Sequence, residues 1–234
     1  VDVDVVETGY GFVPNTELTE LAGCTHHHAL DLGGWVPLRD SQMQTTALGI
    51  FAVGDGAGIR GVWVALEEGR VAGITVAEQA RAIEPEDAAR RRREPLKRLE
   101  TLSELGAALN EISRIRPGLL DLATPETLVC RCEEVCFRDV RTAVDHGARD
   151  LQAVKLFTRL GMGPCQGRNC APHVGMHLCH AMGRTYEQVG RINPRPPLKS
   201  VTLGALAAME GISETAAVDP LDAVGGGAQA TSPM

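Results

Sequence analysis

Between residues 62 and 83, Val64, Leu66, Val71, Ile74 and Val76 recur among small side chains at the spacing of a helix packed closely on a neighbour. Upstream, the apolar runs are shorter. Residues 3–8 (VDVVET), 33–40 (GGWVPLRD) and 47–53 (ALGIFAV) are bounded by glycine and polar positions and predict strands. Residues 16–22 (TELTELA) predict a short helix capped by Asn15 or Thr16. Beyond residue 83 the pattern changes to a charge run, EPEDAARRRREPLKR (84–98), which reads as a solvated linker or helix face. Leu96, Leu99, Leu102, Leu105, Leu109 and Ile112 then recur at threes and fours, an amphipathic helix ended by Arg116-Pro117-Gly118.

Three short helices follow. Residues 137–146 place Val140 and Val144 on one face, closed by Gly147; residues 151–160 carry Val154, Phe157 and Leu160, stopped by Gly161. Residues 172–182 start with proline in the first turn and are followed by Gly183. INPRPPLKS reads as an extended connector, and residues 224–234, rich in glycine and alanine, as a disordered tail. There is no internal repeat.

Composition narrows the functional classes. With 234 residues, 44% hydrophobic and 23% charged, the chain suits one or two globular domains. Aromatics at 3% and a net charge of −7 argue against a nucleic-acid partner. No apolar run approaches the roughly 18 residues of a membrane span, and VDVD at the start is no signal peptide, so a cytoplasmic location is expected. Disulfides are rare there. Seven cysteines therefore point to thiolate ligation or catalysis.

Four of them form two close pairs, Cys130-Arg131-Cys132 and Cys165-Gln166-Gly167-Arg168-Asn169-Cys170. Four thiolates restrict a metal to zinc, iron or an iron–sulfur cluster, and C-x-C is tighter than the spacing usual in structural zinc sites. Gly161, Gly163 and Gly167 let backbone N–H groups approach sulfur, and the helix from about Pro172 aims its N-terminal dipole at a negative centre. Arg131 and Arg168 would offset further charge. Cys136 is a spare ligand or, more simply, a small core residue; Cys24 and Cys179 carry no assigned chemistry. His173, His177 and His180 share one helix face and His26, His27 and His28 form a triplet on a loop, both read as exposed histidines.

CRCEEV followed by GMGPCQGRNC resembles the [2Fe–2S] domain of the bacterioferritin-associated-ferredoxin-like family. The resemblance is strongest to the version at the C-terminus of flavoprotein subunits in opine oxidases, hydrogen cyanide synthases and dye-linked amino-acid dehydrogenases. It covers about residues 124–191 and implies Cys130, Cys132, Cys165 and Cys170 as ligands.

TTALGIFAVGD (45–55), an apolar run ending in Gly-Asp before a helix, resembles the second flavin-binding motif of the FAD/NAD(P)-dependent disulfide-reductase-like superfamily. By that resemblance Asp55 accepts a hydrogen bond from the flavin's ribityl chain, Gly54, Gly56 and Ala57 give close backbone approach, and residues 61–66 run beside the isoalloxazine. From the residues alone, Asp55 is equally a helix N-cap. ETGYGFVPN (7–15) is similar to the superfamily's A-T-G-x-x-P-N-like junction leaving the NAD(P)-binding domain, with Glu7 replacing a small residue. G-x-G-x-x-G with a downstream acid is missing, as are a Ser/His/Asp set and paired carboxylates, so no catalytic residue is named.

The expected architecture is an α/β partial flavin-binding domain of disulfide-reductase-like type (1–83), a charged helical linker (84–123), a small, mostly α [2Fe–2S] domain (124–191) and an extended, partly disordered tail (192–234). The expected function is an electron-transfer subunit of an FAD-dependent oxidoreductase, incomplete as this chain. It would relay electrons between FAD and the cluster in oxidation of an opine or amino acid, in a hetero-oligomer with a second flavoprotein subunit that holds the substrate site. A stand-alone iron–sulfur binding or delivery module and a zinc-stabilised interaction module are the alternatives.

Overall fold

The computed structural model of the chain describes residues 3–5, 9 and 11–209. The expected strand over 3–8, the 7–15 junction and the glycine-rich tail lie wholly or partly outside the described residues. Val1–Leu198 form one compact unit and Lys199–Met234 a second.

The first unit opens with helix α1 (Glu17–Leu21), whose N-cap Thr16 donates its hydroxyl to the Glu20 carboxylate and accepts no backbone N–H. Strands β1 (His26–Ala29) and β2 (Gly34–Pro37) pair antiparallel, His26 opposite Pro37. The histidine triplet thus lies in a strand, correcting the loop expectation; the Gly33 turn, with φ of +90°, folds the two runs together. Residues 47–53 form no regular strand. Thr45 N–H donates to Ile50 C=O and Ile50 N–H to Ala47 C=O, a tight turn around Gly49, and Phe51 makes only an isolated bridge to Gln44. A glycine at positive φ in the middle of an apolar run breaks the pleat.

Helix α2 (Val62–Gln79) and helix α3 (Pro85–Ser113) pack on each other around Val64, Val71, Ala72 and Leu99, with Met43 from the preceding segment. The charge run is part of α3, which continues through Pro95. Buried Ala88, Arg92 and Leu99 hold both sides of the proline against α2, and Arg92 pairs with Glu78. Such packing offsets the backbone bond that proline removes. The leucine stripe is only half used: Leu96, Leu99 and Leu102 face α2, while Leu105, Leu109 and Ile112 stay exposed.

The hairpin of β3 (Leu128–Cys130) and β4 (Val135–Cys136) leads into α4 (Phe137–Asp145), α5 (Leu151–Thr158), α6 (Cys170–Met182) and the single turn α7 (Tyr186–Val189). Val140, Leu151, Val154, Leu160, Val174, Leu178 and Val189 fill one core with the Cys130 and Cys170 side chains. Each such side chain contributes about 1.5–3 kcal/mol through burial. Asp150 caps α5 by accepting from the Ala153 N–H, and Gly183 at φ +60° ends α6. In the second unit, α8 (Leu203–Ala207) is capped by the Thr202 hydroxyl.

Within the first unit, His28 stacks on Tyr186 at 3.6 Å between ring centroids and meets Trp35 edge-on. Desolvation in this stack lowers the His28 pKa from 6.5 to about 4, with Glu187 opposing and His27 assisting. The unfolded chain therefore takes up a proton between pH 6.5 and 4 that the folded chain refuses. The stabilisation is complete above pH 6.5 and is lost as pH falls through that window. Urea midpoints at pH 7 and pH 4.5 are expected to show a smaller drop for His28→Phe, which keeps the stack without titrating, than for the wild type.

Candidate metal centre and flavin turn

Two backbone devices bring the four cysteines together. The β3–β4 hairpin buries Cys130 in β3 and leaves Cys132 exposed in its turn, which Glu134 completes at φ +53°. The second device is the loop between α5 and α6. Gln166 and Gly167 take consecutive positive φ values of 51° and 85°, and Cys170 is the first residue of α6. That start is two residues earlier than the proline implied and puts the cysteine itself at the helix N-terminus. Arg159 bonds Glu133 at 2.9 Å, tying the hairpin to this loop.

The sulfurs influence one another across the two segments, Cys132 with Cys165 and Cys170 with Cys130, while the Cys170 thiol donates to the Gly167 C=O at 3.9 Å. Among the described residues no three Cys, His, Asp or Glu side chains converge as a single-ion site; the thiols stand as two pairs. All seven cysteines are free thiols.

Electrostatics differ around each sulfur. Burial opposes ionisation of Cys165, but N–H groups of Asn169, Gly167 and Arg168, with the Cys132 thiol, outweigh it and lower the pKa. At Cys132 the Cys165 N–H favours the thiolate, yet the Cys165 side chain, desolvation and Cys130 together raise the pKa. Burial, reinforced by the Cys130 and Cys165 sulfurs, pushes Cys170 up to about 12. Loading a metal must therefore displace protons, with the largest penalty at Cys170.

Two of the glycines leave room for close packing. A Cβ on Gly163 would come within 2.2 Å of the Cys132 Cβ, and one on Gly161 within 2.5 Å of Ile192 and 3.3 Å of the Gly167 backbone. The donor set is soft and entirely sulfur, and it includes N–H groups aimed at one sulfur, so the residues fit an anionic iron–sulfur centre.

The other cysteines separate from this group. Cys24 is buried and donates to Thr45, Cys136 is the half-buried N-cap of α4, and Cys179 is half-buried in α6. His177 is partly buried against Phe137, unlike the exposed His173 and His180.

Gly54, Asp55, Gly56 and Ala57 form a 3-10 turn in which Ala57 is buried and Asp55 exposed. Asp55 does not cap α2; Gly61 is the N-cap. Gly54 sits at φ +63° with its missing Cβ 3.1 Å from Ala65 on α2. The residue that sequence reading missed here is Glu68. Its side chain is 2% exposed, pairs with Arg39 at 2.5 Å and with Arg60, and accepts the Gly54 N–H at 2.7 Å. The signal was available: Val64, Glu68, Val71 and Thr75 fall on one helical face, all buried. With the Gly54 N–H already engaged, the turn leaves the Asp55 carboxylate exposed as its free polar side chain. Trp63 and Val62, at the start of α2, are exposed beside it.

Residues 124–210 match the family model described as the sarcosine oxidase A3 domain. The chain is 34% identical over 206 residues to hydrogen cyanide synthase subunit HcnB of Pseudomonas aeruginosa, covering 88% of this chain and 44% of that protein. It is 35% identical over 202 residues to an opine oxidase subunit of Rhizobium meliloti, covering 84% of this chain and 42% of that protein. The chain thus spans less than half the length of these relatives. Its fold is that of part of L-proline dehydrogenase from P. horikoshii, with a TM-score of 0.62 at 21% identity over 83% of this chain and 37% of that one. No helix among the described residues is long and apolar enough to cross a membrane.

Proposed function

We propose that the chain is the electron-relaying portion of an FAD-dependent oxidoreductase subunit, with a [2Fe–2S] cluster held by Cys130, Cys132, Cys165 and Cys170. The observation that carries this reading is the placing of four thiols on two facing segments, Cys132 against Cys165 and Cys130 against Cys170. Two pairs suit a binuclear centre with two thiolates to each iron better than one tetrahedral ion. Similarity to subunits of hydrogen cyanide synthase and opine oxidase supports a redox role. Oxidation of the substrate, an opine or amino acid, falls to a second flavoprotein subunit.

When bound, FAD accepts two electrons as a hydride, and a two-iron cluster passes them on singly. The chain's residues prepare both sites. The N–H groups of Gly167, Arg168 and Asn169 stabilise negative charge at Cys165, and burial of Cys130 and Cys170 keeps water from that side of the centre. Asp55 orients the flavin from an exposed position on a turn that Glu68 holds rigid. The rest of the flavin cradle lies outside these motifs.

Anaerobic purification followed by iron, sulfide and zinc determination tests the reading. Two irons and two sulfides per chain, with visible cluster bands, are expected; one zinc and no iron would sink it in favour of the interaction module. Cys165→Ser is expected to lose most of the iron, and Cys136→Ser to keep it.

A further inference from the structure

Arg168 lies between two of the cysteines, and its guanidinium is engaged by oxygen acceptors. Its Nε meets Glu17 Oε1 of α1 at 2.6 Å, its Nη2 donates to the Leu198 C=O at 3.0 Å, and its Nη1 donates to the Cys165 C=O at 3.3 Å. One planar group thus joins the cysteine loop to α1 and to the connector beyond residue 191. A second pair repeats the arrangement one turn along α1: Arg191 meets Glu20 at 3.0 Å and lies over the Trp35 ring at 5.0 Å. The residue preceding the α1 N-cap faces the flavin turn, since a Cβ on Gly56 would lie 3.5 Å from the Asn15 C=O.

We propose that Arg168 is a positioning residue, whose three-way fork fixes the Cys165–Cys170 loop against α1 and so keeps the N–H groups of Gly167 and Asn169 by the Cys165 sulfur, while its own N–H donates to the Cys165 C=O at 3.1 Å. The consequence for redox potential rests on the cluster reading above; the fixing of the loop does not. The competing role is a positive charge acting on the centre through space. Lysine separates the two, because it keeps the charge but cannot make three bonds in one plane to three segments.

The test is Arg168→Lys, with Glu17→Gln as a second variant outside the loop. Amide hydrogen exchange is followed on the iron-free chain, and the midpoint potential on the iron-loaded chain. For either variant the amides of residues 167–169 are expected to exchange about tenfold faster than in the wild type, as a charge-assisted anchor is lost. In the loaded chain the potential is expected to fall in both, since fewer N–H groups stabilise the reduced centre. The sign is decisive for Glu17→Gln: removing a nearby negative charge by itself raises the potential, so a rise overturns the proposal. Wild-type exchange at residues 167–169 in Arg168→Lys overturns it as well, whatever the potential does. A wild-type chain that takes up no iron refutes the cluster reading instead, and exchange in the iron-free chain still decides the role of Arg168.

Discussion

Gly163→Ala is expected, on the cluster reading proposed above, to abolish iron uptake and to destabilise the surrounding fold by on the order of 1–3 kcal/mol, the usual cost of overpacking. The added methyl would meet the Cys132 Cβ at 2.2 Å and the Cys132 Cα at 3.4 Å. Neither atom is the far end of a flexible side chain, so relief requires the hairpin and the α5–α6 loop to separate. Separation pulls Cys132 from Cys165, the pair that joins the exposed edge of the site. Loss of metal affinity by at least the 10–100-fold typical of disturbed supporting residues is expected. Backbone strain plays no part, because Gly163 is not at positive φ. Gly69→Ala is the control: nothing lies within 4 Å of its Cβ position on α2, and alanine there should stabilise by up to about 1 kcal/mol. Iron content and urea midpoints of both variants check the pair of expectations. A Gly163→Ala chain with full iron would show that the two loops can part without cost.

That glycine was legible in the sequence as one of three around the cysteines, but its partner was not. The cysteine pairs announce themselves by local spacing, and α4, α5 and α6 follow from apolar periodicity closed by glycine. Which thiol meets which depends on the hairpin and the loop facing each other, so the pairing of Cys132 with Cys165 has no local signature. The run at residues 47–53 misled for a related reason: its composition is strand-like, yet no adjacent strand takes up its hydrogen bonds, and Gly49 turns it back on Thr45. α3 shows the reverse case, in which tertiary packing carried a helix through a proline and a charge run that composition had set apart. Glu68 was hidden in plain view. Beside Glu67, on a helix containing Arg70, it reads as surface charge, and only the positions of Arg39 and Arg60, distant in sequence, make its burial possible.

Glu68→Ala is accordingly expected to cost about 3–5 kcal/mol, the penalty for breaking a buried ion pair and leaving its partners uncompensated. Arg39 would keep only the Ala52 C=O at 2.8 Å and the Met43 sulfur, and Arg60 only the Ser103 hydroxyl at 3.2 Å. Burial already lowers the pKa of Arg60, with Glu68 the chief opposing influence, so removing the carboxylate leaves a disfavoured charge. The Gly54 N–H would lose its acceptor at the same time, freeing the turn that presents Asp55. Replacing Arg39, Arg60 and Glu68 together by apolar residues of similar volume should cost far less, because it removes the buried charges rather than unpairing them. Urea midpoints for the single and triple variants measure the difference. A single substitution costing less than about 1 kcal/mol would mean that the pairs are solvated and weak, as at an open surface. With the larger cost, and on the function proposed above, FAD binding by the chain should weaken in Glu68→Ala while its iron uptake stays unchanged. The triad braces the Gly54–Ala57 turn through Gly54, whereas the cysteine loops are braced separately by the Arg159–Glu133 and Arg168–Glu17 pairs.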